Sequence, residues 1–74
     1  MANPVNAKKL LLSKWTSVHP YNKEKHHLVV KVIYNKDLPT IPQTIIMEAI
    51  INHRQWTMDW QELIDSDRWQ PGWQ

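Results

Sequence analysis

Hydrophobic and polar positions alternate most clearly over residues 26–34, where β-branched residues are also concentrated. This pattern is typical of a half-buried strand. Strict alternation predicts one face made of Leu28, Val30, Val32 and Tyr34. The opposite face would then carry Lys25, His27, Val29, Lys31 and Ile33. The sequence therefore predicts a strand with one apolar face and one partly basic face.

Three further extended segments flank this strand. Residues 13–18 favour a strand because they are rich in β-branched and aromatic residues, and residues 19–22 contain the proline and asparagine of a turn. A loop with two prolines follows at 35–42. Residues 44–53 include a Met-Glu-Ala stretch that suits a helix, but their isoleucines and short length favour a strand. Residues 55–58 would form a short return strand.

The C-terminal part predicts a short helix. Asp59 is a candidate N-cap, and Glu62 stands where a capping box needs it. A helix over this segment would place on one face the side chains of Trp60, Leu63 and Ile64. It would end near residues 65–67. The Gln-Pro-Gly-Trp stretch at 70–73 matches a type II turn.

Together these elements predict an α+β fold that is mainly β. We expect a strongly curved antiparallel sheet of three or four strands, closed at one end by the short C-terminal helix. The element order is similar to that of a small SH3-like barrel, an analogy that implies no function. Residues 1–9 would be a flexible N-terminal arm, and residues 10–74 a single small β-rich domain. A chain of 74 residues buries only about 60% of its unfolded surface.

The composition is unusual, with five tryptophans, one glycine, and no cysteine or phenylalanine. The lack of cysteine excludes a disulfide and a Cys-ligated zinc site, and it fits a reducing compartment. The first residues lack the features of a signal peptide, and no apolar run is long enough to span a bilayer. We therefore expect a cytoplasmic protein with no membrane partner.

The charge is unevenly distributed. Residues 1–36 hold seven lysines against Glu24, whereas residues 37–74 hold two arginines against six acids. This asymmetry indicates a basic face that could follow a phosphodiester backbone. Its candidate residues are Lys14, Lys23, Lys25, His27 and Lys31. The alternative is that these side chains only solubilise the open face of a small sheet.

Five tryptophans cannot all be fully interior in so small a domain. Trp60 and Trp15 are interpreted as core residues, although Trp15, like Trp69 and Trp73, is also a candidate for stacking on a base. Trp69 and Trp73 flank the Pro-Gly turn. We expect this segment to fold back, with at least one of the two packed against the sheet. The alternative is an aromatic clamp for a ligand or protein partner.

Catalytic and metal sites are not expected. The single glycine cannot build a phosphate-binding loop, and no serine has a recognisable nucleophile setting. His26 and His27 are adjacent on a strand and point to opposite faces, so they cannot easily hold one ion. A domain of this size also struggles to enclose a desolvated pocket. The sequence therefore predicts no enzyme, cofactor, metal or small-molecule substrate.

Several motifs span nearly the whole chain. They are Leu-Leu-Leu-Ser-Lys-Trp-Thr-Ser-Val at 10–18, Lys-Glu-Lys-His at 23–26, Trp-Gln-Glu-Leu-Ile-Asp at 60–65, Trp69, and Gly-Trp at 72–73. In these motifs the chain resembles the small tryptophan-rich bacterial proteins classed as a domain of unknown function. That family has no established activity, substrate or cofactor, so the resemblance implies no chemistry.

The sequence thus favours a non-catalytic binding module, and two partner classes stay open. The first is nucleic acid, bound by an accessory or ribonucleoprotein-associated protein through the basic face and exposed tryptophans. The second is a protein partner, with the tryptophans docked into a larger assembly. Salt dependence separates them, because phosphate contacts weaken steeply with salt whereas an aromatic interface does not.

Overall fold

The computed structural model describes residues 2–74 and contains five antiparallel strands in one sheet. The strands are β1 (Lys14–Tyr21), β2 (Glu24–Tyr34), β3 (Pro42–Ala49), β4 (Gln55–Asp59) and β5 (Trp69–Pro71). Their order is β4-β3-β2-β1-β5, so β4 and β5 are the two edges and the sheet is not closed. The mainly β class is confirmed and the SH3-like barrel is not. The predicted three or four strands were too few, because β5 is a three-residue strand in a stretch predicted as a turn.

The predicted C-terminal helix is wrong. Residues 60–64 form a five-residue 3₁₀ helix, Trp60–Ile64, and no α-helix occurs within residues 2–74. Asp59 is the N-cap as predicted, with its side chain accepting from the Gln61 N–H at 2.9 Å. Asp65 already has extended backbone, so the segment ends before a second α-turn could form.

The β1–β2 hairpin turns later than predicted. Asn22 and Lys23 both have positive φ, 54° and 63°, and Tyr21 pairs with Glu24. Two central residues with positive φ are typical of a type I′ hairpin turn. Residues 19–21, predicted as part of the turn, therefore extend β1. The strand tolerates Pro20 because its pairing with β2 is irregular between Thr16 and Tyr21.

A bulge in β2 overturns the predicted alternation of its faces. Val29 pairs with Met47, whereas Lys31 pairs with Ile46, so β2 has one extra residue at Val30. A bulge of this kind shifts all following side chains to the other face. His27 and Val29 therefore face the core together with Val32, which lies beyond the bulge. Lys25, His27 and Lys31 do not share a face, contrary to the prediction.

The hydrophobic core lies on one side of the sheet, which we call the core face. Its fully or nearly buried members are Leu10, Trp15, Val29, Ile45, Met47, Leu63 and Trp69. Trp60 and Val5 pack against this cluster and cover one end of it. The opposite side, the open face, carries Lys14, because strand neighbours alternate and Trp15 points into the core. The interpretation of Trp15 as a core residue is thus confirmed.

The segment predicted as a flexible arm lies against the 3₁₀ helix and β5. The Asn3 backbone N–H donates to Ile64 O at 2.8 Å, and its side-chain amide donates to Leu63 O and Trp69 O. Ala2 forms an isolated antiparallel bridge with Asp65. We therefore expect the chain to be ordered from Asn3 onward. No helix within residues 2–74 is long and apolar enough to cross a membrane.

Candidate functional site

The C-terminal residues fold back over the open face of the sheet, as predicted. Gly72 has φ 78°, the positive value expected of the third residue in a type II turn, and its N–H donates to Lys14 O at 2.8 Å. The Thr16 hydroxyl donates to Gly72 O at 2.7 Å and accepts from the Gln74 N–H at 2.9 Å. These contacts bury Thr16 on the open face and hold Trp73 in place.

Trp73 is the exposed aromatic residue of this segment. Its Nε1 donates to His27 O at 2.8 Å, and its ring centroid lies 6.0 Å from that of His26. The Lys14 ammonium group stands over the ring, 4.8 Å from the centroid, within the range of a cation–π contact. Trp73 nevertheless remains 43% exposed. We call Lys14, His26, Lys31 and Trp73 the open-face patch.

The predicted basic residues are only partly brought together. Lys14 and Lys31 both lie on the open face, whereas Lys23 and Lys25 are exposed at the end of the β1–β2 hairpin. His27 is buried and belongs to the core face. Among residues 2–74, no lysine forms an ion pair. The lysine charge is therefore free to act on a partner.

A second concave region lies on the core face, on the other side of the sheet from Trp73. His27 stands edge-on between two indole rings, with centroid distances of 5.5 Å to Trp56 and 5.0 Å to Trp69. Its Nδ1 lies 3.1 Å from Lys25 O. A carbonyl only accepts, so Nδ1 carries the proton of the neutral ring and Nε2 is the acceptor. Burial lowers the pKa of His27, which favours this neutral form.

Both arginines flank this region and are paired with glutamates. Arg54 donates two hydrogen bonds to Glu24, at 2.7 and 2.6 Å, and its guanidinium stacks 4.3 Å from the Trp56 ring centroid. Hydrogen bonds from Arg54 and Asn52 lower the pKa of Glu24 to about 2. Arg68 makes a single 3.2 Å hydrogen bond to Glu62.

A cavity of about 400 Å³ opens between the two edges of the sheet. It is lined by Arg54, Trp56, Thr57, Met58, Glu62, Arg68 and Trp69. We call this cavity, together with the adjoining His27, the aromatic groove. Trp69 Nε1 is buried there without a hydrogen-bond partner among residues 2–74.

Sequence reasoning found part of these sites. Of the three tryptophans proposed for stacking, only Trp73 is exposed, since Trp15 and Trp69 are core residues. It missed His26 of the open-face patch, and Arg54 and Trp56 of the groove. The sequence did predict that His26 and His27 lie on opposite faces of the sheet, because adjacent strand residues alternate. No local signal joins Arg54 to Glu24, which is 30 positions away.

Comparison with known proteins identifies a family without adding chemistry. The family model described as Tryptophan-rich protein (DUF2389) matches residues 13–74. No curated protein and no solved structure gives a significant match. Within residues 2–74, no three histidine or acidic side chains are grouped so that they could hold a metal ion.

Proposed function

The chain belongs to this tryptophan-rich family of unknown function, and on that premise we propose that it is a non-catalytic module that binds single-stranded nucleic acid through the open-face patch. The observation that carries the proposal is the exposed Trp73 ring, fixed to the sheet by its Nε1 hydrogen bond and flanked by Lys14 and His26. We further propose a cytoplasmic location, where nucleic acid is accessible.

The arrangement suits a base stacked on Trp73 with phosphates alongside. Aromatic stacking is sequence-tolerant because every base has a π-face, and it contributes about 1–3 kcal/mol per base. The Lys14 side chain is exposed, so its ammonium group can move from the ring to a phosphate while a base takes its place. Lys31 lies roughly 7 Å farther along the same face than Leu28, the partner of Lys14. The β3 partners of Leu28 and Lys31 are two residues apart, at about 3.4 Å per residue.

The charge pattern supports the same partner. The two arginines of the described chain form ion pairs with Glu24 and Glu62, and His53 lies 3.3 Å from Glu48. The lysines are left unpaired. Their field would steer a polyanion toward the open face and would make binding sensitive to salt.

The test is binding of a fluorescently labelled single-stranded oligonucleotide, measured by anisotropy over a range of salt concentrations. We expect the Lys14→Gln, Lys31→Gln double variant to keep its fold, because exposed charges add little to stability. It should bind more weakly. The slope of log K against log salt should fall by roughly 0.7 per lost phosphate contact. Trp73→Ala should weaken binding about 5- to 150-fold, corresponding to the loss of one stacked base.

The matched control removes the same charge elsewhere. Lys8 lies in the N-terminal 3₁₀ turn (Ala7–Lys9) and Lys36 in the β2–β3 loop, and both are exposed. The Lys8→Gln, Lys36→Gln double variant should bind nearly as the parent does. If it loses as much affinity as the patch variant, or if the parent shows no affinity at low salt, the proposal fails.

A protein partner is the second candidate function. It is favoured by exposed large hydrophobic side chains outside the open-face patch: Leu11, Leu12, Tyr21, Tyr34, Leu38, Ile41 and Ile51. Such residues are suited to an interface when they form a patch. Binding through them would change little with salt, which distinguishes it from phosphate contacts.

A further inference from the structure

We propose that the aromatic groove binds an extended, acidic segment of a partner protein, which adds as a strand to the free edge of β4. This inference goes beyond the proposed function, because the groove lies on the core face and the open-face patch lies on the other side of the sheet. It rests on the unpaired β4 backbone, the shape of the cavity beside it, and the charges at its rim.

The edge of β4 has free backbone groups. In an antiparallel pair, hydrogen-bonded and non-hydrogen-bonded residue pairs alternate. Ala49 N–H donates to Arg54 O, and the register pairs Met47 with Trp56. The C=O group of Arg54 and both backbone groups of Trp56 therefore point toward β3, and the N–H and C=O groups of Gln55 and Thr57 point outward. β4 contains no proline or lysine, and its one charged residue is Asp59 at the end of the strand.

The other edge of the sheet is protected. β5 has only three residues and ends in Pro71, which cannot donate a backbone hydrogen bond. Strand addition is therefore expected at β4 and not at β5. The main-chain contacts with the partner segment are therefore expected on the β4 side of the groove.

The cavity runs along the β4 backbone. Three consecutive residues, Trp56, Thr57 and Met58, line it, although consecutive strand side chains point to opposite faces. Because Trp56 and Met58 point to the core face, the cavity lies beside β4 on that face and reaches Thr57 between them. Trp69 of β5 lines its other side, so the cavity lies in the gap between the two edge strands.

Strand addition at this edge needs only one extended segment, whereas a second copy of the domain would also bring its own β3.

The rim favours a negatively charged occupant. The side chains of Arg54 and Arg68 are 53% and 60% exposed, whereas those of their partners Glu24 and Glu62 are 3% and 39% exposed. At the rim the two arginine side chains are therefore more accessible to solvent than the two glutamates. Arg68 makes only one side-chain hydrogen bond, so donors remain for a carboxylate of the occupant.

The interior of the groove favours an apolar residue between the acidic ones. Trp56 and Met58 point to the core face beside the cavity and offer aromatic and thioether surface. The inferred occupant is an extended segment with acidic residues on either side of an apolar one.

The test uses a pool of blocked pentapeptides with Glu at both ends and randomised apolar residues between them, titrated into ¹⁵N-labelled protein. We expect the amide signals of Gln55 and Thr57 to shift, because their N–H groups gain acceptors. A pool of the same design with Lys at both ends should bind at least tenfold more weakly. A backbone N-methylated Glu pool should cause no shifts.

Two variants separate strand addition from other contacts. Thr57→Pro removes an outward N–H and leaves the β3 hydrogen bonds intact, so it should abolish the shifts, while Thr57→Val should preserve them. Arg68→Gln should weaken binding about two- to fivefold, as expected for one exposed charge pair. If Thr57→Pro unfolds the domain, the N-methylated pool and Arg68→Gln still decide the question.

Three results would overturn the proposal. They are no shifts with the Glu pool at millimolar concentration, equal binding of the Glu and Lys pools, and concentration-dependent self-association that protects the Gln55 and Thr57 amides in the free protein. Oligonucleotide binding through the open-face patch is measured separately, and Thr57→Pro should leave it unchanged. Failure of one proposal therefore leaves the other standing.

Discussion

Truncation of Trp69 and Trp73 tests the structural role of the C-terminal segment. Trp69 is a core residue in β5 with 7% exposure, whereas Trp73 lies on the open face with 43% exposure. Removing a buried tryptophan side chain typically costs about 3–5 kcal/mol. A domain of 74 residues has a total stability of roughly 4–11 kcal/mol at 0.05–0.15 kcal/mol per residue. Trp69→Ala should therefore remove a large fraction of that stability.

Trp73→Ala should cost less. A little more than half of Trp73 is covered, so its burial contributes about 2–3 kcal/mol at 25 cal/mol per Å², and that figure is an upper estimate. Its loss should lower the melting temperature by about 4–8 °C per kcal/mol. The centres of the two ranges differ by about 1.5 kcal/mol, so Trp69→Ala should be the more damaging.

The assay is urea unfolding followed by far-UV circular dichroism, because each substitution removes one of the five tryptophans and so changes the fluorescence signal itself. The urea midpoint of each variant is compared with that of the parent, using one common value for the dependence of the unfolding free energy on urea concentration. The reasoning would be refuted if Trp69→Ala unfolded within about 0.5 kcal/mol of the parent, or if Trp73→Ala were the more destabilising. Either result would mean that β5 does not complete the core.

The remaining predictions concern pH and the N-terminal contacts. Burial lowers the pKa of His27 from 6.5. As the pH drops below 6.5, the unfolded chain binds a proton before the folded chain does, so the free energy of unfolding should fall. In His27→Gln, unfolding measured over the same pH range should show no such fall. The pKa of Glu24 is lowered from 4.5 to about 2, so a second loss should appear between those values and vanish in Glu24→Gln. Asn3→Ala should cost about 1–3 kcal/mol in urea unfolding, because two part-buried carbonyls lose their donor. Trp60→Ala should cost about 3 kcal/mol, since Trp60 packs on the core but stays partly exposed; a melt at the parent's temperature would remove it from the core.

Local sequence determined where the chain is extended and how its end turns. The alternation of residues 26–34 identified most of β2, although β2 begins at Glu24. The Pro-Gly pair predicted a fold-back that the structure contains, because Gly72 adopts positive φ where other residues rarely do. Asp59 marked the start of the next element because its side chain can cap a backbone N–H two residues on. These features depend on interactions between near neighbours, which a sequence displays directly.

Tertiary structure alone decided which side chains share a face. The bulge at Val30 arises from the pairing of β2 with β3, and it moves every later residue to the opposite side. For that reason alternation correctly separated His26 from His27 but wrongly joined His27 to Lys31. The short 3₁₀ helix likewise replaced a predicted α-helix, since its length is set by the contacts of Leu63 and Asn3 with the rest of the chain.

The candidate sites show the same division. Composition indicated unpaired positive charge and surface tryptophan, and the open-face patch contains both. The aromatic groove could not be predicted, because it depends on Arg54 meeting Glu24 across 30 positions and on β4 and β5 lying on either side of one gap. Sequence periodicity reports how a segment is built, whereas the pairing of distant strands determines which residues meet.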